Sequence, residues 1–381
     1  MNDSIRTPRA PRPVMTRKPL VLLAAGGTGG HLFPAEALAD ALTAYGLDVD
    51  LATDERAARY ADVFPARKLH VLPADTVRGR SPIALARTAL ALARGVLKGY
   101  QLMQELKPAV VVGFGGYPTV PPLLAARFAG RPTIIHEANA VLGRANAMLA
   151  PRVTAIATGY PEIFSTKPEL AAKARHTGNP VRPAVIDAAA PYEAPLENGP
   201  FDLLVFGGSQ GARVMSDVVP HAIAQLPPVL RDRVRITQQA RAEDSGFVRE
   251  IYAKTGVRAE IAPFFRDLPA RMSNAHLVIA RAGASTIAEL CVIGRPSILV
   301  PLPGAIDQDQ LANATALTKG GGAVLARQSG FTPDTLAELL ISLMRAPAQL
   351  AAMAQRAQVM GRADATARLA DLVIRTAGLK V

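Results

Sequence analysis

Short apolar runs alternate with longer amphipathic stretches along most of the chain. LVLLAA (20–25), DVDLAT (48–53), PAVVVG (108–113), RPTIIHE (131–137) and VTAIAT (153–158) are short and largely apolar. That pattern predicts strands covered on both faces, as in a parallel sheet. Between them lie helix periods. Leu38, Leu42 and Tyr45 recur at spacings of four and three, and Pro34 falls where a first-turn proline is tolerated. Such alternation predicts an α/β fold with helices on both faces of a parallel sheet.

The alternation lapses over PAVIDAAAPYEAPLENGP (183–200), which reads as a linker. It restarts at FDLLVF (201–206), followed by a glycine-rich loop, a helix pattern and the strands VRITQQ, VRAEIA, HLVIAR and PSILVP. Two successive α/β units are therefore expected, over 19–183 and 201–359 with a linker at 184–200. Each opens with strand, glycine-rich loop, helix. The C-terminal stretch reads as Ala-rich helix.

Composition narrows the classes. At 49% hydrophobic residues over 381 positions, global disorder is excluded. The single Cys291 excludes an intramolecular disulfide framework or a Cys-rich zinc site and fits a reducing compartment. The longest uncharged runs, 19–35 and 108–126, are broken by glycine and proline and do not read as spanning helices. Residues 1–18 are basic and Pro-rich and are expected to be a disordered extension. The apolar run after them is short for a signal-peptide core. The net charge of +12 points to anionic partners. Nucleic acid ranks low among these, because aromatics make up only 5% and the basic residues are spread.

The chemistry is concentrated in loops. Gly26-Gly27-Thr28-Gly29-Gly30-His31 sits between strand and helix, where backbone N–H groups and a helix N-terminus can meet an anion. It is not the dinucleotide fingerprint, because Leu32 stands where the last glycine is required. Asp48 and Asp50 nonetheless lie where a ribose-binding acid of a dinucleotide fold would sit, which keeps a nicotinamide-dependent oxidoreductase open. Gly207-Gly208-Ser209-Gln210-Gly211 occupies the same position in the second unit. It also spells G-x-S-x-G, the elbow of a serine hydrolase. That fold needs a later acid and then a His, but the last His is His276. A third loop, Ala282 to Glu289, places Ser285 and Thr286 at a helix start suited to phosphate, and Glu289 one turn on, suited to a ribose diol. The stretch 301–310, ending Asp307-Gln308-Asp309-Gln310, carries the amides and carboxylates that read sugar hydroxyls. Arg182, in Gly178-Asn179-Pro180-Val181-Arg182, is a candidate cation for a diphosphate at the unit junction. The six histidines, His31, His70, His136, His176, His221 and His276, show no metal-ligand spacing.

GGTGGHLFPAEALA, VVGFGGYPTVPPLLAA, IIHEANAVLGRAN, TGNPVR, FGGSQGAR, ARAGASTIAEL and DQDQLANA, in this order, together resemble one family. It is the bacterial UDP-N-acetylglucosamine–N-acetylmuramyl-(pentapeptide) pyrophosphoryl-undecaprenol N-acetylglucosamine transferases. The resemblance implies a GT-B fold, two Rossmann-like domains about a cleft, with the C-terminal helix at about 360–381 packed back on the first. It implies inverting transfer of GlcNAc from UDP-GlcNAc to the MurNAc O4 of lipid I, giving lipid II, with no cofactor and no metal in the chemical step. Carried over by motif, the backbone at Phe265 contacts uracil, Ala284, Ser285 and Thr286 the diphosphate, Glu289 the ribose, and Arg182 and Ser209 the phosphates. Gln310 reads the sugar, although Asp309 precedes it where some members carry Gln or His. Thr28, Gly29 and Gly30 face the reaction centre, Asn139 is a donor-side contact, and Tyr117, His136 and Glu137 line the acceptor side.

An inverting transfer needs a base for the acceptor hydroxyl. His31 is the first candidate, because it ends a glycine loop and titrates near neutral pH; Glu137 is the second. Between Arg78 and Lys98 five basic residues, Arg78, Arg80, Arg87, Arg94 and Lys98, occur without an acid. On a helix Arg87, Arg94 and Lys98 share a face beside Ile83, Leu90 and Leu97, while Leu85, Leu92, Val96 and Met103 form an opposite, core-facing stripe. The first face could rest on anionic lipid. The expected setting is the cytoplasmic face of the bacterial inner membrane, as a peripheral protein, with other cell-wall synthesis or division proteins as further partners. A membrane-surface scaffold that binds a nucleotide sugar without turnover is the remaining alternative.

Overall fold

The computed structural model describes residues 18–26, 29–55, 64–73, 82–208, 211–304 and 308–380. The first unit holds seven strands: β1 (Leu20–Ala24), β2 (Asp48–Thr53), β3 (Lys68–Val71), β4 (Val110–Gly113), β5 (Thr133–Glu137), β6 (Ala155–Thr158) and β7 (Ala174–His176). They pair in parallel in the order β3-β2-β1-β4-β5-β6-β7. The second holds β8 (Phe201–Phe206), β9 (Val234–Gln239), β10 (Arg258–Ala262), β11 (Leu277–Ala280), β12 (Ser297–Leu299) and β13 (Ala323–Leu325). Their order, β10-β9-β8-β11-β12-β13, repeats that of the first sheet without its last strand, again all parallel. Ten of these strands coincide with the apolar runs. β3, β7 and β13 are three or four residues long and lie at sheet edges, where one-sided burial leaves little apolar signal.

Strand alternation divides each core in two. Val21 and Leu23 of β1 pack with the helix Gly29–Ala44, while Leu22 and Ala24 pack with the helices Pro82–Leu106 and Val120–Phe128. In the second sheet Leu203 and Val205 face the helices Arg213–Ala224 and Pro333–Met344. Leu204 and Phe206 face the helix Ala284–Ile293.

Two connections differ from a free linker. Val181 and Val185 are buried in the second core, and Tyr192 donates its hydroxyl to the His276 carbonyl at 2.9 Å. Much of 183–200 is thus a strap on the second unit, because its few apolar residues find a core to enter. The C-terminal helical stretch is two helices. Pro347–Met360 buries Leu350 and Met353 in the second unit, while Ala365–Thr376 buries Leu369, Ala370 and Val373 against β1 and Gly29–Ala44 in the first. Among the described residues no single helix is long and apolar enough to cross a membrane.

Candidate functional site

In each sheet the first strand lies where the winding reverses, with β1 between β2 and β4 and β8 between β9 and β11. Loops leaving such strands at their C-terminal ends border a crevice. Here the two crevices meet in one cavity of about 660 Å³, lined from the first unit by Gly30 and Phe33, from the junction by Arg182, and otherwise by the second unit.

The second-unit wall is built around the helix Ala284–Ile293, capped by Gly283. Ala284, Ser285 and Thr286 present its first turn to the cavity. The Ser285 hydroxyl is buried and has no hydrogen-bond partner among the described residues. Glu289, one turn on, is buried against the same space and accepts from an Arg182 Nη at 3.1 Å. Burial pushes its carboxyl pKa up and the Arg182 charge pulls it back. The Arg182 guanidinium also lies 4.7 Å from the centre of the Phe33 ring, and its Nε has no hydrogen-bond partner among the described residues. Arg182, Arg213, Arg241 and Arg281 all line the cavity, and Glu289 is the only acid among its described lining residues. Such a lining, with a helix N-terminus, suits a dianionic diphosphate.

Three side chains hold this wall in shape. Gln239, at the end of β9, accepts from the Gly207 N–H (2.9 Å) and donates to the carbonyls of Gly208 (3.0 Å) and Pro263 (3.1 Å). It ties the glycine loop to the segment carrying Phe265. A Cβ at Gly207 would stand 2.3 Å from the Ala212 nitrogen, so the loop closes on its helix only with glycine there. Gln310 accepts from the N–H groups of Ala282 (3.3 Å) and Leu302 (3.0 Å), joining two rim loops. Arg281 donates to the carbonyls of Val300 and Pro301, both at 3.0 Å. Phe265 lines the cavity with its ring buried under the Arg271 guanidinium at 4.4 Å.

The first-unit wall differs more from expectation. His31 Nδ1 donates to the Gly26 carbonyl at 3.2 Å, which fixes the tautomer and makes Nε2 the lone-pair nitrogen. The ring lies against Gly115 and Gly116, both at positive φ; a Cβ at Gly115 would stand 3.2 Å from Nε2. Burial lowers the His31 pKa, while the Gly26 hydrogen bond and the Asp309 charge from the second unit raise it. Glu137, the other candidate base, is buried with its carboxylate accepting four hydrogen bonds. These come from Asn139 N–H (3.0 Å) and Nδ2 (3.2 Å), Gly143 N–H (2.9 Å) and Asn146 Nδ2 (2.8 Å). It organises the 139–146 loop and has no free oxygen for a substrate proton. His136 is buried too. Its Nε2 donates to the Gly178 carbonyl (3.2 Å), and burial lowers its pKa to about 4, so it is a neutral packing residue behind the surface. Asn139 does not line the 660 Å³ cavity either. Its Oδ1 accepts from Asn313 Nδ2 (2.9 Å), while Asn313 Oδ1 accepts from the Ala140 N–H (2.8 Å). Asn139 and Asn313 therefore clasp the two units together. Tyr117 begins a short 3-10 turn, half-buried and outside that cavity.

Gly30, Arg182, Phe265, Ala284, Ser285, Thr286, Glu289 and Gln310 are thus brought together around one space. Thr28 and Ser209 lie outside the described residues, as do Arg78 and Arg80; of Ile83 and Arg87 only the helical backbone is described, and Gly29 opens the helix Gly29–Ala44. Asp50 cannot serve a ribose, because its buried carboxylate is held by Arg67 (2.9 and 3.1 Å) and His70 (2.9 Å). Arg281, Gln239 and Asn313 escaped the sequence reading. Their one local signal is a polar residue within or ending an apolar run.

Comparison with known proteins fits this architecture. Residues 21–158 match the glycosyltransferase family 28 N-terminal domain and residues 202–369 its C-terminal domain. The chain is 59% identical to a UDP-N-acetylglucosamine–N-acetylmuramyl-(pentapeptide) pyrophosphoryl-undecaprenol N-acetylglucosamine transferase of Bradyrhizobium sp. strain BTAi1, over 95% of this chain and 99% of that protein. A protein of the same name from Nitrobacter winogradskyi is 59% identical over the same shares. The crystal structure of Acinetobacter baumannii MurG superposes with a TM-score of 0.78 at 30% identity, covering 94% of this chain and 100% of that one. With two parallel-sheet domains about a shared cavity and this degree of likeness, the chain belongs to the UDP-N-acetylglucosamine–N-acetylmuramyl-(pentapeptide) pyrophosphoryl-undecaprenol N-acetylglucosamine transferase family, within the GT-B glycosyltransferases.

Proposed function

We propose that this chain, like the relatives it resembles over nearly its whole length, transfers GlcNAc from UDP-GlcNAc to the MurNAc O4 of lipid I, giving lipid II. The observation that carries the reading is the donor-shaped cavity, with four arginines, an unpartnered buried Ser285 hydroxyl and a buried Glu289 around one helix start. In this reading the diphosphate lies on Ala284–Thr286, the uracil meets the Phe265 backbone, and Glu289 takes the ribose hydroxyls. Arg182 then exchanges its Glu289 partner for phosphate oxygens, and the Gln310 amide reads GlcNAc.

The transfer is inverting and needs no metal in the chemical step. His31 Nε2 takes the proton of the acceptor hydroxyl as its oxygen attacks C1 of GlcNAc from the face opposite the diphosphate. The C1–O bond breaks, and its electron pair leaves with UDP. Support comes from the Nδ1–H bond of His31 to the Gly26 carbonyl and from the arginines and helix start, which can stabilise the departing charge without a metal ion. Glu137 is a positioning residue for the 139–146 loop.

The acceptor is a lipid, so the chain works at the cytoplasmic face of the membrane as a peripheral protein. Leu90 and Leu97 are 52% and 67% exposed on the helix Pro82–Leu106, beside exposed Arg94 and Lys98. That face supports a lipid-resting role. Replacing Leu90 and Leu97 together by Glu should release the protein from anionic vesicles, and unchanged sedimentation would remove the role.

The deciding experiment is UDP release from UDP-GlcNAc with and without a short-chain lipid I analogue, in EDTA. Acceptor-dependent release with a disaccharide product supports both transfer and a metal-free step. UDP binding without release would leave a nucleotide-sugar binding protein.

A further inference from the structure

Leu32, Ala35, Leu38, Ala39 and Leu42 of the helix Gly29–Ala44 enter the first core. Phe33 lies off that face. Its ring is the one first-unit side chain among the described residues that line the 660 Å³ cavity. The helix also packs against Ala284–Ile293 of the second unit, so Phe33 stands at the border of the two domains. An apolar ring is out of place among four arginines unless it serves one of them.

Arg182, at the junction, meets both walls. Its Nη donates to Glu289 Oε1 of the second unit at 3.1 Å, and its guanidinium lies over the Phe33 ring of the first at 4.7 Å. Its charge also reaches Glu36, one turn beyond Phe33. Burial and Asp40 push the Glu36 pKa up, and Arg182 pulls it back. The contacts with Glu289 and Phe33 use different parts of the guanidinium. Stacking on a ring takes a face, whereas hydrogen bonds leave from the edge. That edge still holds Nε, which has no hydrogen-bond partner among the described residues. Arg182 can therefore exchange Glu289 for another anion without leaving the ring.

We propose that Phe33 is a positioning residue for the transfer. Its ring holds the face of Arg182 while the edge passes from Glu289 to the donor diphosphate, so an occupied cavity draws the first domain onto the donor. Phe33 follows His31 by two residues in the same helix, so this contact also sets the base over the donor. The role rests on the reading that UDP-GlcNAc fills the cavity.

Calorimetric titration with UDP, together with steady-state turnover, tests it. Phe33→Leu keeps an apolar side chain without a π face. It should weaken UDP about fivefold and lower kcat about tenfold. Phe33→Tyr should keep both within about twofold of the wild type. Pentafluorophenylalanine at position 33 keeps the shape of the ring and removes its negative face. It should weaken UDP as the Leu variant does; unchanged affinity would reduce Phe33 to packing and overturn the role. In an Arg182→Gln background, Phe33→Leu should have no further effect on UDP. An equal loss with and without Arg182 would overturn the role as well. So would a loss in Glu36→Gln with the Phe33 variants silent, which would assign the coupling to the carboxylate. UDP that fails to bind the wild type would overturn the donor reading, and this role with it.

Discussion

His31 and Glu137 look alike as candidate bases in the sequence, and their hydrogen bonds separate them. His31 donates Nδ1–H to the Gly26 carbonyl, so that Nε2 is the basic nitrogen of the neutral ring; Glu137 spends both oxygens on four donors. Replacing His31 with Ala should lower kcat by about 10²–10⁴-fold with little change in UDP affinity. Because burial lowers its pKa, the neutral base persists to acid of the ordinary imidazole value of about 6.5. The acid limb of kcat should therefore lie below that pH, with activity lost as pH falls, and should vanish from the residual rate of the Ala variant. Glu137→Gln sets an amide NH2 against donors already aimed at the carboxylate, a cost of about 1–3 kcal/mol. Hydrogen exchange of 139–146 should speed up in that variant; unchanged exchange with lost kcat would return Glu137 to the chemistry.

At the scale of elements, single polar side chains decide how loops and edge strands sit. Gln239 joins the β8 glycine loop to the Phe265 segment by three hydrogen bonds. Gln239→Ala should cost about tenfold or more in UDP affinity, read by calorimetry, although Gln239 itself contacts no reacting atom. The short edge strand β3 is held to β2 through Asp50. Burial alone would raise the Asp50 pKa, but His70 and Arg67 outweigh it and hold the carboxylate below its ordinary value. The resulting stabilisation is complete above about pH 4 and is lost as pH falls through the folded value. Amide protection over 68–71, corrected for the intrinsic exchange rate, should be lost first on acidification, and Asp50→Asn should show that lower protection already at neutral pH.

At the scale of the molecule, two domains with matching winding are joined by two chain passages and a polar clasp. Asn313 is fully buried and bridges Asn139, Ala140 and the Ala282 carbonyl. Asn313→Ala removes the clasp and leaves the arginine-lined cavity in place. UDP affinity should change little, kcat should fall about tenfold, and small-angle scattering should show a larger radius of gyration. A scattering curve identical to wild type would show that closure does not depend on Asn139 and Asn313. The helix Ala365–Thr376 fills the first core from the far end of the chain, so deletion from residue 364 removes Leu369, Ala370 and Val373, uncovers the apolar face of Leu38 and Leu42 beneath them, and should leave an insoluble protein.

By itself the sequence determined the α/β class, the two units and their glycine loops, because doubly covered strands are uninterrupted apolar runs and tight strand–helix turns demand glycine. It also marked Ser285, Thr286, Glu289 and Gln310, whose spacing along a helix start or rim is local. Edge strands β3, β7 and β13 were illegible, since half-buried short segments carry no run of their own. Only the tertiary structure decided that Asp50 belongs to Arg67 and His70, that Glu137 and His136 lie behind the surface, and that Asn139 meets Asn313. Each of those roles is set by a partner distant in sequence, or by burial, and neither leaves a period or a spacing in the chain.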